Sequence, residues 1–122
     1  MKSTDLVYAI KKRMYDDAFL SYKETYSKSL DGTDEYSKSI KFFQSLREEE
    51  KELILFLIKT TIWDTLSDFF GWLDGVYLVS NQEEDVDLKF EDKEQKINGN
   101  LQDIWVSIKE GIDKKEIEDT YN

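Results

Sequence analysis

The chain has 122 residues, 39% of them hydrophobic and 36% charged, with a formal net charge of −10 and neither histidine nor cysteine. That length suits one domain able to bury its own core, and an aromatic share of 14% is too high for a disordered chain. Lacking imidazole and thiol, it can build no serine or cysteine triad and no nitrogen- or sulfur-ligated zinc site, so catalysis would rest on carboxylates, lysine, tyrosine or an oxygen-held cation.

Ser3 or Thr4 can cap a first helix over about 4–30, with Gly32 placed for the left-handed C-terminal turn. Val7, Ile10, Met14 and Ala18 form one apolar stripe and Tyr8, Tyr15, Phe19, Tyr22 and Tyr26 the next, at helical steps of three, four and seven. A second helix over about 34–44 presents Tyr36, Ile40 and Phe43. Ser45 and Glu48 form a capping box for a third helix, about 46–74, which ends at Gly75. There Ile54, Ile58, Ile62, Leu66, Phe69 and Leu73 make one stripe, and Phe56, Trp63 and Phe70 lie opposite. A helix apolar on both sides belongs between other elements, so this one is expected at the buried centre. Gly71 marks a possible kink or stop.

After Gly75 the period changes to two. "VYLVS" and "VDLKFE" flank "NQEED", which predicts a β-hairpin over about 76–91 with Val86, Leu88 and Phe90 facing the core. Asn98-Gly99 is a turn, Asn100 caps a last helix over about 101–112, and the charged tail 113–122 is expected to fray. The expected fold class is therefore α+β and mostly helical. Three N-terminal helices with a long central buried one, a β-hairpin and a C-terminal helix make a single domain over 1–122.

Charge is unevenly placed. Residues 1–45 carry 8 basic and 7 acidic side chains, net +1, while 46–122 carry 9 and 20, net −11. Such a field repels nucleic acid and anionic lipid and attracts basic proteins or cations. The most apolar segment, "LILFLIKTTIWDTLSDFFGWL", is interrupted by Lys59, Asp64 and Asp68, which reads as a core helix and not a membrane span. The N-terminal run "LVYAI" is too short for a secretory signal, and the absence of cysteine fits a cytoplasmic location.

Four groups are candidates for function. Between Glu83 and Glu94 stand seven carboxylates, Glu83, Glu84, Asp85, Asp87, Glu91, Asp92 and Glu94, against Lys89 and Lys93. They read as a solvated hairpin edge, as the surface that meets a basic partner, or as a cation site. Val86 stands where a calcium loop built on Asn81, Glu83 and Asp85 needs glycine. Asp64 and Asp68, four apart on the long helix, read as its polar strip or as a cation or acid–base pair. The cluster Lys11, Lys12 and Arg13 fans around a helix and suits pairing with the chain's own acids. Trp63, Trp72 and Trp105 suit core packing or a small-molecule pocket.

In size, negative charge and lack of catalytic equipment, the chain resembles, as a class, the small acidic immunity proteins that bacteria make against toxins. The resemblance implies a non-enzymatic, protein-binding inhibitor that needs no cofactor and no metal. The charge pattern adds that a basic protein is touched through Glu83, Glu84, Asp85, Asp87, Glu91 and Asp92, and that neither nucleic acid nor membrane is engaged. The Glu48–Glu52 stretch is a second acidic surface. A homo-oligomeric structural or regulatory protein, joined through the tyrosine stripe, is the alternative. A carboxylate-based cation-binding domain or enzyme is the third.

Overall fold

The computed structural model describes residues 1–122 and is helical throughout, with no β-strand. The helices are α1 (Ser3–Ile10), α2 (Asp17–Thr25), α3 (Glu35–Ser45), α4 (Glu48–Leu73), α5 (Leu101–Lys109) and α6 (Lys114–Tyr121). A π-helical stretch, Lys11–Asp16, joins α1 to α2 without a break, so the chain makes five helical rods. No helix is long and apolar enough to cross a membrane. The residues fall into two compact units, one of 1–11 and 64–122, the other of 12–63.

The expected α+β class is thus corrected to all-α, and the hairpin over 76–91 is absent. Strands need a ladder, and here the backbone of that segment finds other partners. The amide of Asn98 stands in for a neighbouring strand: its Oδ1 accepts the Leu88 N–H at 3.0 Å, and its Nδ2 donates to the Val86 carbonyl at 2.8 Å and to the Leu73 carbonyl. The Ile97 N–H donates to the Leu88 carbonyl at 2.8 Å. Val86 and Leu88 are half-buried, Asp87, Lys89 and Glu91 face water, and Phe90 is exposed, not in the core.

In the unit of 1–11 and 64–122, α1 packs on α5 and α6, which also pack on each other. Val7, Phe70, Leu101, Ile104, Trp105 and Ile117 are fully buried there, and the Phe70 and Trp105 rings lie 5.5 Å apart. Residues 113–122 do not fray. Ile117 plugs the core, Lys114 lies over the Tyr8 ring at 4.8 Å, and Asn122 exchanges hydrogen bonds with the buried Thr4 hydroxyl. The end of α4 and the start of α5 hold each other. The Asp74 carboxylate accepts the Gly99 and Gln102 N–H groups at 2.6 and 2.7 Å, so it caps α5 in place of Asn100. The Gln102 amide donates to the Ser67 carbonyl at 2.9 Å across Gly71, where any side chain would collide with it. The helix continues through Gly71 and ends at Leu73, just before Gly75. Its φ of +78° lets the Val76 N–H reach the Gly71 carbonyl, closing a Schellman turn.

In the unit of 12–63, Ile40, Leu55 and Trp63 are buried, with Tyr15 edge-on to Trp63 at 5.1 Å. The first rod ends at Thr25, not Leu30, and Gly32 keeps a negative φ. The Gln44 amide donates to the Tyr26 and Lys28 carbonyls and shapes the connection to α3. The capping box at α4 is displaced by two residues: Glu50 accepts the Arg47 N–H at 2.9 Å, while the Ser45 hydroxyl donates to Phe42 inside α3. Nor is α4 buried all round. Leu53, Phe56 and Leu57, one helical face, stay exposed, Phe56 at 65%. No sheet is present to form a second layer over that face.

Candidate functional site

The predicted partner-binding residues lie on the long connection 75–100, and local hydrogen bonds explain its shape. After Gly75, Tyr77 folds back so that its hydroxyl donates to the Asp68 carbonyl of α4. Val79–Gln82 is a tight turn closed by the Gln82 N–H on the Val79 carbonyl at 3.0 Å, with Asn81 at φ +67°, a type II geometry that asparagine tolerates better than most residues. The Gln82 side chain then works as a clip. Its Oε1 accepts the Trp72 indole N–H at 2.7 Å and the Val79 N–H at 3.1 Å, and its Nε2 donates to the Glu84 carbonyl at 2.7 Å. A second turn, closed by the Lys93 N–H on the Phe90 carbonyl, puts Glu91 and Asp92 at its tip. Glu83, Glu84 and Asp85 thus follow the first turn, Glu91 and Asp92 stand on the second, and Asp87 lies between them in the stretch that Asn98 ties down.

All six predicted residues, Glu83, Glu84, Asp85, Asp87, Glu91 and Asp92, are exposed. None takes part in an ion pair, whereas elsewhere pairs join Lys12 to Asp17, Arg47 to Glu49 and Glu50, Lys51 to Glu48, and Lys114 to Glu118. The two acidic surfaces read from the sequence therefore differ in kind. Glu48, Glu49 and Glu50 are compensated within their own helix, whereas those of the connection are not. Counting Glu94, its seven carboxylates face three lysines, a net −4.

Against the clip lies an open cleft of about 380 Å³ lined by Thr65, Phe69, Trp72, Tyr77 and Val79. Phe69 and Trp72 have ring centroids 5.5 Å apart, tilted by 42°, and Phe69 is 51% exposed. Desolvation, then the neighbouring Asp68 charge, raises the Tyr77 phenol pKa above its ordinary value. Exposed Val76, Leu78 and Phe90 extend the apolar content of the connection. The sequence pattern hides this cleft because it assigns Phe69 to a core stripe, Tyr77 and Val79 to a strand, and Gln82 to the turn between strands. The available signal was the density of aromatic residues on both sides of the Gly75 stop.

The other candidates separate. Asp64 and Asp68 are exposed on α4, neither is in an ion pair, and nowhere do three carboxylates converge in a way that would hold a metal ion. Lys12 pairs with Asp17, five residues on, a spacing that the wider π turn brings into line. Trp63 and Trp105 are buried, and only Trp72 reaches a surface cleft. In the unit of 12–63, a second groove of about 230 Å³, lined by Tyr26, Tyr36, Ser39, Ile40, Phe43, Ile54 and Ile58, carries no charged side chain. Comparison with known proteins finds no family model, no curated protein and no solved structure that matches this chain.

Proposed function

We propose that the chain is a small acidic protein-binding module, an inhibitor or immunity-type protein that neutralises a basic partner such as a toxin. We place it in the cytoplasm, the reducing compartment that a cysteine-free chain suits. The observation that carries this reading is the connection 75–100, where uncompensated carboxylates stand on a hydrogen-bonded frame beside an open aromatic cleft. Uncompensated surface charge speeds encounter with a partner of opposite sign, and apolar anchors supply most of the affinity. A frame already ordered loses little conformational entropy on binding. A chain with neither histidine nor cysteine lacks the commonest catalytic base and nucleophile, which fits a binding role.

The test compares two baits: the wild-type chain and the variant with Glu83, Glu84, Asp85 and Asp87 all changed to lysine. At low salt the wild type is expected to retain a basic protein from the source cell that the variant loses. With that protein purified, association is expected to slow at least tenfold in the variant while the circular dichroism spectrum is unchanged. Equal capture and equal association rates would end the proposal.

A homo-oligomer is the second reading, and one observation moves its interface. Tyr8, Tyr15 and Tyr26 of the tyrosine stripe are half-buried, whereas Leu53, Phe56 and Leu57 of α4 are exposed. Sedimentation of wild type and Phe56→Glu tests it: a dimer dispersed by the substitution supports self-association, and a monomeric wild type removes it.

A further inference from the structure

Building on the partner-binding reading, we infer that the cleft of Phe69, Trp72, Tyr77 and Val79 receives an arginine side chain of the basic partner. Three aromatic rings open to solvent in one cleft offer π faces, and a cation over such a face is attracted by its quadrupole. The planar guanidinium stacks on such faces and is less strongly hydrated than an ammonium, so arginine suits the cleft better than lysine.

The charge around the cleft has the matching sign. Asp68 adjoins Phe69 in sequence, and its carbonyl is tied to the Tyr77 hydroxyl. Through the Gln82 side chain, the Trp72 wall is tied to the Glu84 carbonyl in the acidic segment. No lysine or arginine lines the cleft. Neither this cleft nor the groove of the other unit has a carboxylate in its lining, but here the Asp68 charge acts on the Tyr77 phenol, whereas in the groove Tyr26 is influenced by the neighbouring phenols of Tyr22 and Tyr36. Within the chain, Lys59 already lies over the Tyr15 and Phe19 rings at 5.6 and 5.3 Å, and Lys114 over Tyr8. The Phe69–Trp72–Tyr77 cleft holds no such cation of its own.

The experiment titrates the labelled full chain with hexa-arginine, hexa-lysine and hexa-citrulline peptides, following the Trp72 indole N–H by NMR. Citrulline keeps the shape of arginine without its charge. Hexa-arginine is expected to bind and shift the Trp72 signal, hexa-lysine to bind several-fold more weakly, and hexa-citrulline not to bind. Phe69→Leu keeps the apolar bulk but removes the π face, and it should weaken hexa-arginine roughly three- to tenfold, while Phe69→Tyr keeps wild-type affinity. The amide spectrum of each variant reports that it is folded. If hexa-arginine binds Phe69→Leu as tightly as wild type, yet loses affinity when Glu83, Glu84, Asp85 and Asp87 are changed to their amides, the cleft assignment falls and the acidic partner surface stands. Equal affinity for hexa-lysine overturns the choice of arginine. No binding of hexa-arginine to the wild type at low salt overturns both.

Discussion

Replacing Asn98 by alanine removes three hydrogen bonds at once, and the structure says what each loss leaves behind. The amide is 9% exposed and spans the end of α4, the 86–88 stretch and the turn before α5. The Leu73 carbonyl, at a buried residue, would be left without its Asn98 donor, at a cost of about 1–3 kcal/mol. The Val86 carbonyl and Leu88 N–H belong to half-buried residues that water can reach, so each loss is about 0.5–1 kcal/mol. Together these give about 3 kcal/mol, because bonds to one side chain do not add fully. For a chain of this length that lowers the melting temperature by roughly 10 °C. Urea denaturation by far-UV circular dichroism measures the stability, and hydrogen exchange at the Leu88 amide reports the local release. Asn98→Asp is the internal control: it keeps the acceptor for Leu88 but sets an anion against two carbonyl oxygens, so it is expected to be at least as damaging. An Asn98→Ala protein within 0.5 kcal/mol of wild type would refute the idea that this amide replaces a strand.

Asp74→Ala removes the cap of α5 and is expected to cost about 1–2 kcal/mol in urea denaturation, with Asp74→Asn intermediate. Ile117→Ala empties a fully buried site and should cost about 2–5 kcal/mol; a change below 0.5 kcal/mol would mean that α6 is not docked. Acid stability turns on two helix starts. Hydrogen bonds from the Ser37 hydroxyl and N–H hold the Asp34 pKa below its ordinary value, and those from the Arg47 N–H and guanidinium do the same for Glu50. Because the folded values lie below the unfolded ones, this stabilisation is present above the ordinary carboxylate range and is lost as the pH falls through the depressed folded values. Melting temperature against pH should therefore fall less steeply at the acid end for Asp34→Asn with Glu50→Gln than for wild type.

Helices were legible where local chemistry specifies them. The second, third and last helical patterns lie within about three residues of α3, α4 and α5, and Gly75 marks the stop of α4 in both sequence and structure. The segment 76–91 misled because alternation in "VDLKF" records which side chains meet a surface, not what pairs with the backbone, and a single distant asparagine supplied that pairing. The tail misled by composition, since "DKKEIEDTYN" carries one aliphatic residue and that residue fills the core. The long helix misled because periodicity tells which faces are apolar, not how many elements exist to cover them. Of the candidate surface, the carboxylates were visible as a charge block. The cleft beside them was not, because it forms only when Tyr77 and Gln82 fold back onto α4.

Hydrogen exchange on the chain saturated with its captured partner tests the central claim most directly. Slowed exchange is expected at the amides of 76–94, with the α4 face of Leu53, Phe56 and Leu57 unaffected. Protection confined to residues 48–60, or none anywhere, would contradict the account.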